Sequence, residues 1–214
     1  MIDNVRLWES VTRTAKSGTS GYQSADDFNY ALASVQTSVM SILAPLYSVT
    51  RAAKDLLAPF LTDSTGSTNA QGVYTKPSDY FQIASAMVGS HPAYPVEVNE
   101  LAMLQYLPSR RPDASANRYA FYEEDDNFVF LPAQTATVSI KYIRKPDEAE
   151  IILTASSTAD SDYLTPTSTN NLEWPERAFN LFYYMMLQRF GIESKEQILL
   201  EFSNLGIQTE AANL

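Results

Sequence analysis

Apolar residues recur at helical spacing through the first third of the chain. Phe28, Leu32, Val35, Val39, Ile42 and Leu46 follow one another at steps of 4, 3, 4, 3 and 4. That is the stripe of an amphipathic helix that buries one face. Ser24 stands where such a helix needs an N-cap, with Asp26 and Asp27 in its first turn and Pro45 as its breaker. A shorter helix is predicted over residues 2–15, with Val5, Trp8 and Val11 or Thr12 on one side. The flexible segment KSGTSGYQS links the two. A third helix is predicted over residues 48–59, turning Val49, Ala52, Ala53, Leu56 and Phe60 inward.

The pattern then changes. DSTGSTNAQG, residues 63–72, reads as a polar loop. Beyond it, period-two alternation and β-branched or aromatic runs predict strands over 80–88, 94–98, 117–122, 128–131 and 135–143, with one short helix over 99–107 ended by Pro108. Glu123 to Asp126 plus Asn127 fall in a turn that makes 117–131 a hairpin. Residues 147–171 are mostly loop, with IILT as a further edge strand. Helix returns at Trp174-Pro175-Glu176, with Ala178, Phe179, Phe182, Met185, Met186 and Phe190 on its apolar face and Gly191 as its cap. Ser194, with Gln197 placed for a capping box, opens a last helix that buries Ile198, Leu199, Phe202 and Leu205.

Helices separated by a β block, each with one apolar face, most simply bury those faces on one another. The expectation is an α+β chain: a bundle of about four main helices with an inserted antiparallel β lobe. Its parts are N-terminal bundle helices over 1–61, a β-rich insertion over 62–150, and a loop with the completing helices over 151–214. Phe28, Val35, Val39, Phe179 and Phe182 belong to the expected core.

Composition narrows the function. Hydrophobic residues make up 45% and charged residues 19%, as in folded domains. The formal charge is −10, although residues 1–61 balance five acids against five bases, so the excess acid lies further on. Proteins that grip phosphate backbone carry a basic face, which this balance argues against. The absence of cysteine excludes disulfides and thiolate metal sites. The N-terminus lacks the apolar core of a secretion signal, and no apolar run reaches the ~18 residues of a membrane span. A soluble protein made in a cytoplasm is expected, with no membrane partner.

Candidate chemistry is sparse. His91 is the one histidine and sits in SHPAYP, without a nucleophile elbow to serve. The seven glycines form no phosphate-binding loop. Glu123, Glu124, Asp125 and Asp126 lack the spaced ligands of an EF-hand and read as a solvated hairpin tip, or as a tip that repels duplex DNA across a channel. Arg110 and Arg111 either solvate a loop or pair with that tip on a neighbouring copy. No catalytic residue, cofactor or metal is expected, and the chain is read as no enzyme.

VSIKYIRKP, residues 138–146, contains the densest basic group of the β block. Val138, Ile140 and Tyr142 alternate with Lys141, and Arg144 and Lys145 fall where Pro146 stops the ladder. Asp147, Glu148 and Glu150 follow and offset the charge. This is a strand end.

The order YIRKP, polar loop, WPE resembles head-to-tail adaptor proteins of short-tailed bacteriophages. KPSDYF at 76–81 is similar to the segment leading into their first strand. SADDFNYALASVQ is similar to the opening helix of ring proteins from crAss-like phages. The likeness covers most of residues 20–190. It implies a virion protein of the neck, assembled in the host cytoplasm. Copies of it would form a ring of about a dozen below the portal and join capsid to tail. The portal and other neck or tail proteins would be its partners, and double-stranded DNA would pass through without specific binding during genome ejection. Residues 1–20 and 191–214 would order on docking.

The alternative is a monomeric binding module. Its aromatic β lobe would recognise a peptide or glycan through Tyr119, Phe121, Tyr122, Phe128 and Phe130.

Overall fold

A computed structural model describes residues 1–17, 24–107, 110–155, 164–168 and 170–190. The helix expected from Ser194 and the linker before Ser24 lie outside the described residues. In chain order the elements are α1 (Asn4–Ser17), α2 (Ala25–Leu43), α3 (Arg51–Leu57), β1 (Leu61–Ser67), β2 (Val73–Thr75), β3 (Tyr80–Val88) and β4 (His91–Pro95). There follow α4 (Leu101–Tyr106), β5 (Tyr119–Glu124), β6 (Asn127–Leu131), β7 (Thr137–Arg144), β8 (Ile151–Ala155), β9 (Leu164–Ser168) and α5 (Phe179–Arg189). The chain is therefore mixed α+β. It divides into one unit of residues 1–59 and 146–214, and a second of residues 60–145.

In the first unit, the helix starts follow from their caps. Ser24 Oγ accepts from the Asp27 amide while the Asp27 carboxylate accepts from the Ser24 amide, a reciprocal capping box. Thr50 Oγ1 accepts from the Ala53 amide at 3.2 Å and starts α3. Asp3 Oδ1 accepts from Val5 N–H at 2.9 Å at the head of α1.

The α2 stripe buries Phe28, Leu32, Val35 and Val39 as read from the sequence, but then continues through Met40 and Leu43. Ile42 is 54% exposed. A helix advances 3.6 residues per turn, so a strict 3-4 alternation drifts off the buried face by its last turn. On α1 the buried side is Asn4, Leu7, Trp8 and Val11, with Val5 only half-buried. On α3, Ala53 and Leu57 are buried while Val49, ahead of the helix, is exposed.

Helices α1 and α2 both pack on α5. Trp8 meets Phe28 edge-on at 4.9 Å, and Trp174 lies against Phe182 at 5.3 Å. Phe182 is fully buried. Phe179, expected in the core, is half-buried and carries the Arg6 guanidinium 4.4 Å above its ring. The first residues are already tied down: Ile2 N–H donates to the carbonyls of Leu172 and Trp174, and buried Asn4 bridges Asn170 and Leu172. Strands β8 and β9 form a two-stranded ribbon. Asn29 of α2 holds it by a pair of 2.9 Å bonds to both backbone groups of Ile151. IILT is thus a strand as expected; its partner β9 was hidden in Ser/Thr-rich sequence.

The second unit is a seven-stranded sheet in the order β1-β7-β3-β4-β5-β6-β2. It is larger than an inserted lobe and is barrel-like. All its pairings are antiparallel except β4 with β5, which run parallel. Residues 61–67, most of them read as loop, form a full ladder with β7 from Leu61↔Ile143 to Ser67↔Thr137. The strand at 94–98 lies earlier, at His91–Pro95.

The two outer strands approach each other through Tyr74, whose hydroxyl lies 2.8 Å from Ser64 Oγ. Gly66 permits this: a Cβ there would stand 2.7 Å from the Tyr74 ring. Inside sit Phe121, Phe128, Phe130, Val138, Ile140 and Tyr142, with Ala86, Val88 and Ala93. The alternation read in VSIKYIRKP therefore holds, and Lys141 points outward to Asp63 at 3.7 Å.

Candidate functional site

One end of the sheet unit gathers residues from three segments: the lead-in 76–80, the β5–β6 tip, and the end of β7. Lys76 is the centre. Its side chain is only 13% exposed, and Nζ lies 2.9 Å from Glu123 Oε2 and donates to the Asp125 carbonyl at 2.8 Å. The Lys76 amide donates to the Asp126 carbonyl at 2.9 Å. Its ammonium also lies 5.2 Å from the ring centres of both Tyr80 and Phe128. Tyr80 donates its hydroxyl to Glu123 Oε1 at 2.9 Å. One acid of the tip, Glu123, is thus neutralised by Lys76 and held by Lys76 and Tyr80.

Asp79 ties the lead-in to β7. Tyr142 donates its hydroxyl to Asp79 Oδ1 at 2.9 Å, and Lys145 N–H donates to the Asp79 carbonyl at 2.7 Å. KPSDYF and YIRKP, distant in sequence, therefore meet. Burial and then the Glu123 carboxylate hold the Tyr80 phenol well above the ordinary tyrosine range. Burial and then Asp79 push Tyr142 up to about 12.

The tip itself is a tight turn in which Glu124 pairs with Asn127. Asp125 takes the left-handed backbone at φ 44, which Asp tolerates better than most residues. Glu123, Glu124, Asp125 and Asp126 are all exposed. Among the described residues, no ion pair reaches Glu124, Asp125 or Asp126. The surface offered is a cluster of negative charge anchored by Lys76, on a hairpin whose inner residues, Phe121 and Phe128, are core.

Beside this hairpin lies an open groove of about 590 Å³ with a mixed lining. Pro95, Val96 and Val98 give it apolar surface, and Glu97, Glu100 and Glu123 bring carboxylates. The chain leaves the groove wall directly into α4. Arg110 and Arg111 follow, both exposed, their amides donating to the Leu107 carbonyl at 2.9 Å. No ion pair among the described residues joins them to the acidic tip. His91, the lone histidine, opens β4 and stacks on Tyr119 at 6.3 Å. The described residues contain no cluster suited to a metal ion, and no described helix is long and apolar enough to cross a membrane.

Sequence reading identified the acidic tip and the strand end but missed Lys76 and Asp79, the two residues that fix them. A lysine and an acid flanking Pro77-Ser78 immediately before an apolar strand carried the signal. Their partners lie some fifty to sixty positions away, at Glu123 and Tyr142. Among the five aromatics named for a binding module, Phe121, Phe128 and Phe130 are buried in the sheet core. Tyr119 packs against that core, and Tyr122, next to buried Phe121, lines the groove.

No curated protein matches the chain. The family model described as SU10 adaptor protein matches residues 46–203, which include the whole sheet unit, both motif segments that meet at Asp79, and α5. The chain belongs to the SU10 adaptor protein family, a family of phage head-to-tail adaptors, and is a structural component of the virion.

Proposed function

We propose that this chain is a head-to-tail adaptor whose copies form a ring below the portal, joining capsid to tail and continuing the channel for the genome. The observation that carries the reading is the family match over residues 46–203. Several features fit it. The net charge of −10 disfavours adhesion to DNA, as a conduit requires. The acidic tip is tied to the sheet unit by Lys76, which places its charge at one end of that unit. The likeness to ring proteins of crAss-like phages belongs to this proposal. So do host-cytoplasm assembly and the absence of turnover. The binding-module reading loses support, because most of its contact residues are core.

Quantitative mass spectrometry of purified virions tests the proposal. About a dozen copies per particle, a closed cyclic number, is the expected result. Hundreds of copies would mean a capsid or decoration protein, and complete absence would overturn a role in the virion.

A further inference from the structure

We infer that the arm formed by α4 and the arginines after it seats in the acid-rimmed groove of the next copy of this chain. This rests on the ring reading above and names its interface. The arm is apolar and uncovered: Met103 is 66% exposed, Tyr106 84% and Leu107 43%. Large apolar side chains grouped on so short a segment mark a contact surface. Arg110 and Arg111 lie beyond Leu107 in sequence, exposed and without an ion pair among the described residues.

The groove has the opposite character at its edge. Pro95, Val96 and Val98 provide apolar surface, while Glu97 and Glu100 supply negative charge, and Glu124, Asp125 and Asp126 of the tip extend it. An apolar segment with a basic C-terminal end thus matches an apolar groove edged by carboxylates. Such matching selects partner and register.

The occupant follows from this complementarity. Both halves are carried by one chain at different places, so each copy can offer an arm to one neighbour and a groove to the other. Contacts of that heterologous kind close into rings, whereas a reciprocal exchange between two copies stops at a dimer. The groove wall at residues 95–100 runs straight into α4, so the arm starts at the lip of its own groove and leaves that groove open.

The test uses the full chain assembled in virions. Because the chain has no cysteine, Tyr106→Cys on the arm and Val98→Cys in the groove can be cross-linked cleanly with a short bismaleimide. The expected result is a ladder extending past the dimer for the double variant, and no product for either single variant. A ladder that stops at the dimer, cross-linking of the arm to another protein, or no product in particles that hold the chain at ring copy number would overturn the interface. Particles lacking the chain altogether would instead overturn the adaptor reading, and the inference with it.

A charge exchange gives a second readout. Arg110→Glu with Arg111→Glu should lower incorporation at least about tenfold, as should Glu97→Arg with Glu100→Arg. Combining all four should restore incorporation to within about threefold of the native chain. Failure of the combination to rescue, with each variant folded by circular dichroism, would overturn the proposed pairing.

Discussion

Replacing Lys76 with methionine removes the ammonium but keeps most of the stem that lies near Tyr80 and Phe128. In the native chain that ammonium makes two short contacts, to Glu123 Oε2 and to the Asp125 carbonyl, from a side chain that is 13% exposed. Glu123 is 43% exposed and regains water once the lysine is gone, so part of the loss is recovered. A hydrogen bond to a charged group contributes about 1.5–3 kcal/mol, and an exposed ion pair about 0–1 kcal/mol. The half-screened geometry puts the Lys76→Met loss at about 1.5–2 kcal/mol. Glu123→Gln keeps an acceptor for Tyr80 and should cost about 1 kcal/mol.

The double variant isolates their coupling, expected at about 1 kcal/mol. Urea unfolding followed by near-ultraviolet circular dichroism supplies the free energies. Tryptophan emission serves as the control, because Trp8 and Trp174, the two tryptophans of the chain, both belong to the first unit. Hydrogen exchange over the peptide 119–131 locates the effect. A coupling below about 0.3 kcal/mol, with unchanged exchange at the tip, would refute a tip held by Lys76.

Three further outcomes are expected. Phe182→Ala empties a fully buried site against Trp174 and should cost about 3–5 kcal/mol, read from the urea midpoint of tryptophan emission; a loss under about 1 kcal/mol would contradict the packing. Gly66→Val drives a side chain into the Tyr74 ring and breaks the Ser64–Tyr74 bond, so the sheet unit should lose about 1–3 kcal/mol; native-like stability would contradict closure at that seam. Tyr142 stays protonated in the fold to about pH 12, whereas its unfolded value is 10.0. The folded state then binds more protons, so stability is fully present below pH 10 and falls as pH rises from there toward 12. Phenolate absorbance with a Tyr142→Phe variant as the control should show Tyr142 ionising well above pH 10, and its ionisation near pH 10 would contradict the burial.

The legible parts of the sequence were those where one face is buried and the other wet. The α2 stripe, the Ser24 cap, the β5–β6 hairpin and the alternation of Val138, Ile140 and Tyr142 all have that contrast. β1 hides it: Thr62, Ser64 and Gly66 are half-buried while Asp63, Thr65 and Ser67 are exposed, but the covered positions carry no large apolar side chain, and the strand is paired along its backbone to β7. A backbone ladder leaves no mark in side-chain polarity, so the segment reads as loop. β9 is missed for the same reason.

At the candidate site, the acidic tip shows as a charge run. The clamp that fixes it does not, since Lys76 and Glu123 meet only through the fold. The aromatics of the β block misled in the opposite direction: a barrel-like sheet has room for several large rings inside, and Phe121, Phe128 and Phe130 fill it. Arg110 and Arg111 are placed beyond an exposed apolar arm, a juxtaposition that charge counting alone does not reveal.

Cryo-electron microscopy of the unique vertex of purified virions tests the central claim most directly. The expected result is density for this chain in a closed ring between portal and tail, around the DNA path. Density confined to the capsid faces, or no density for the chain at the neck, would contradict it.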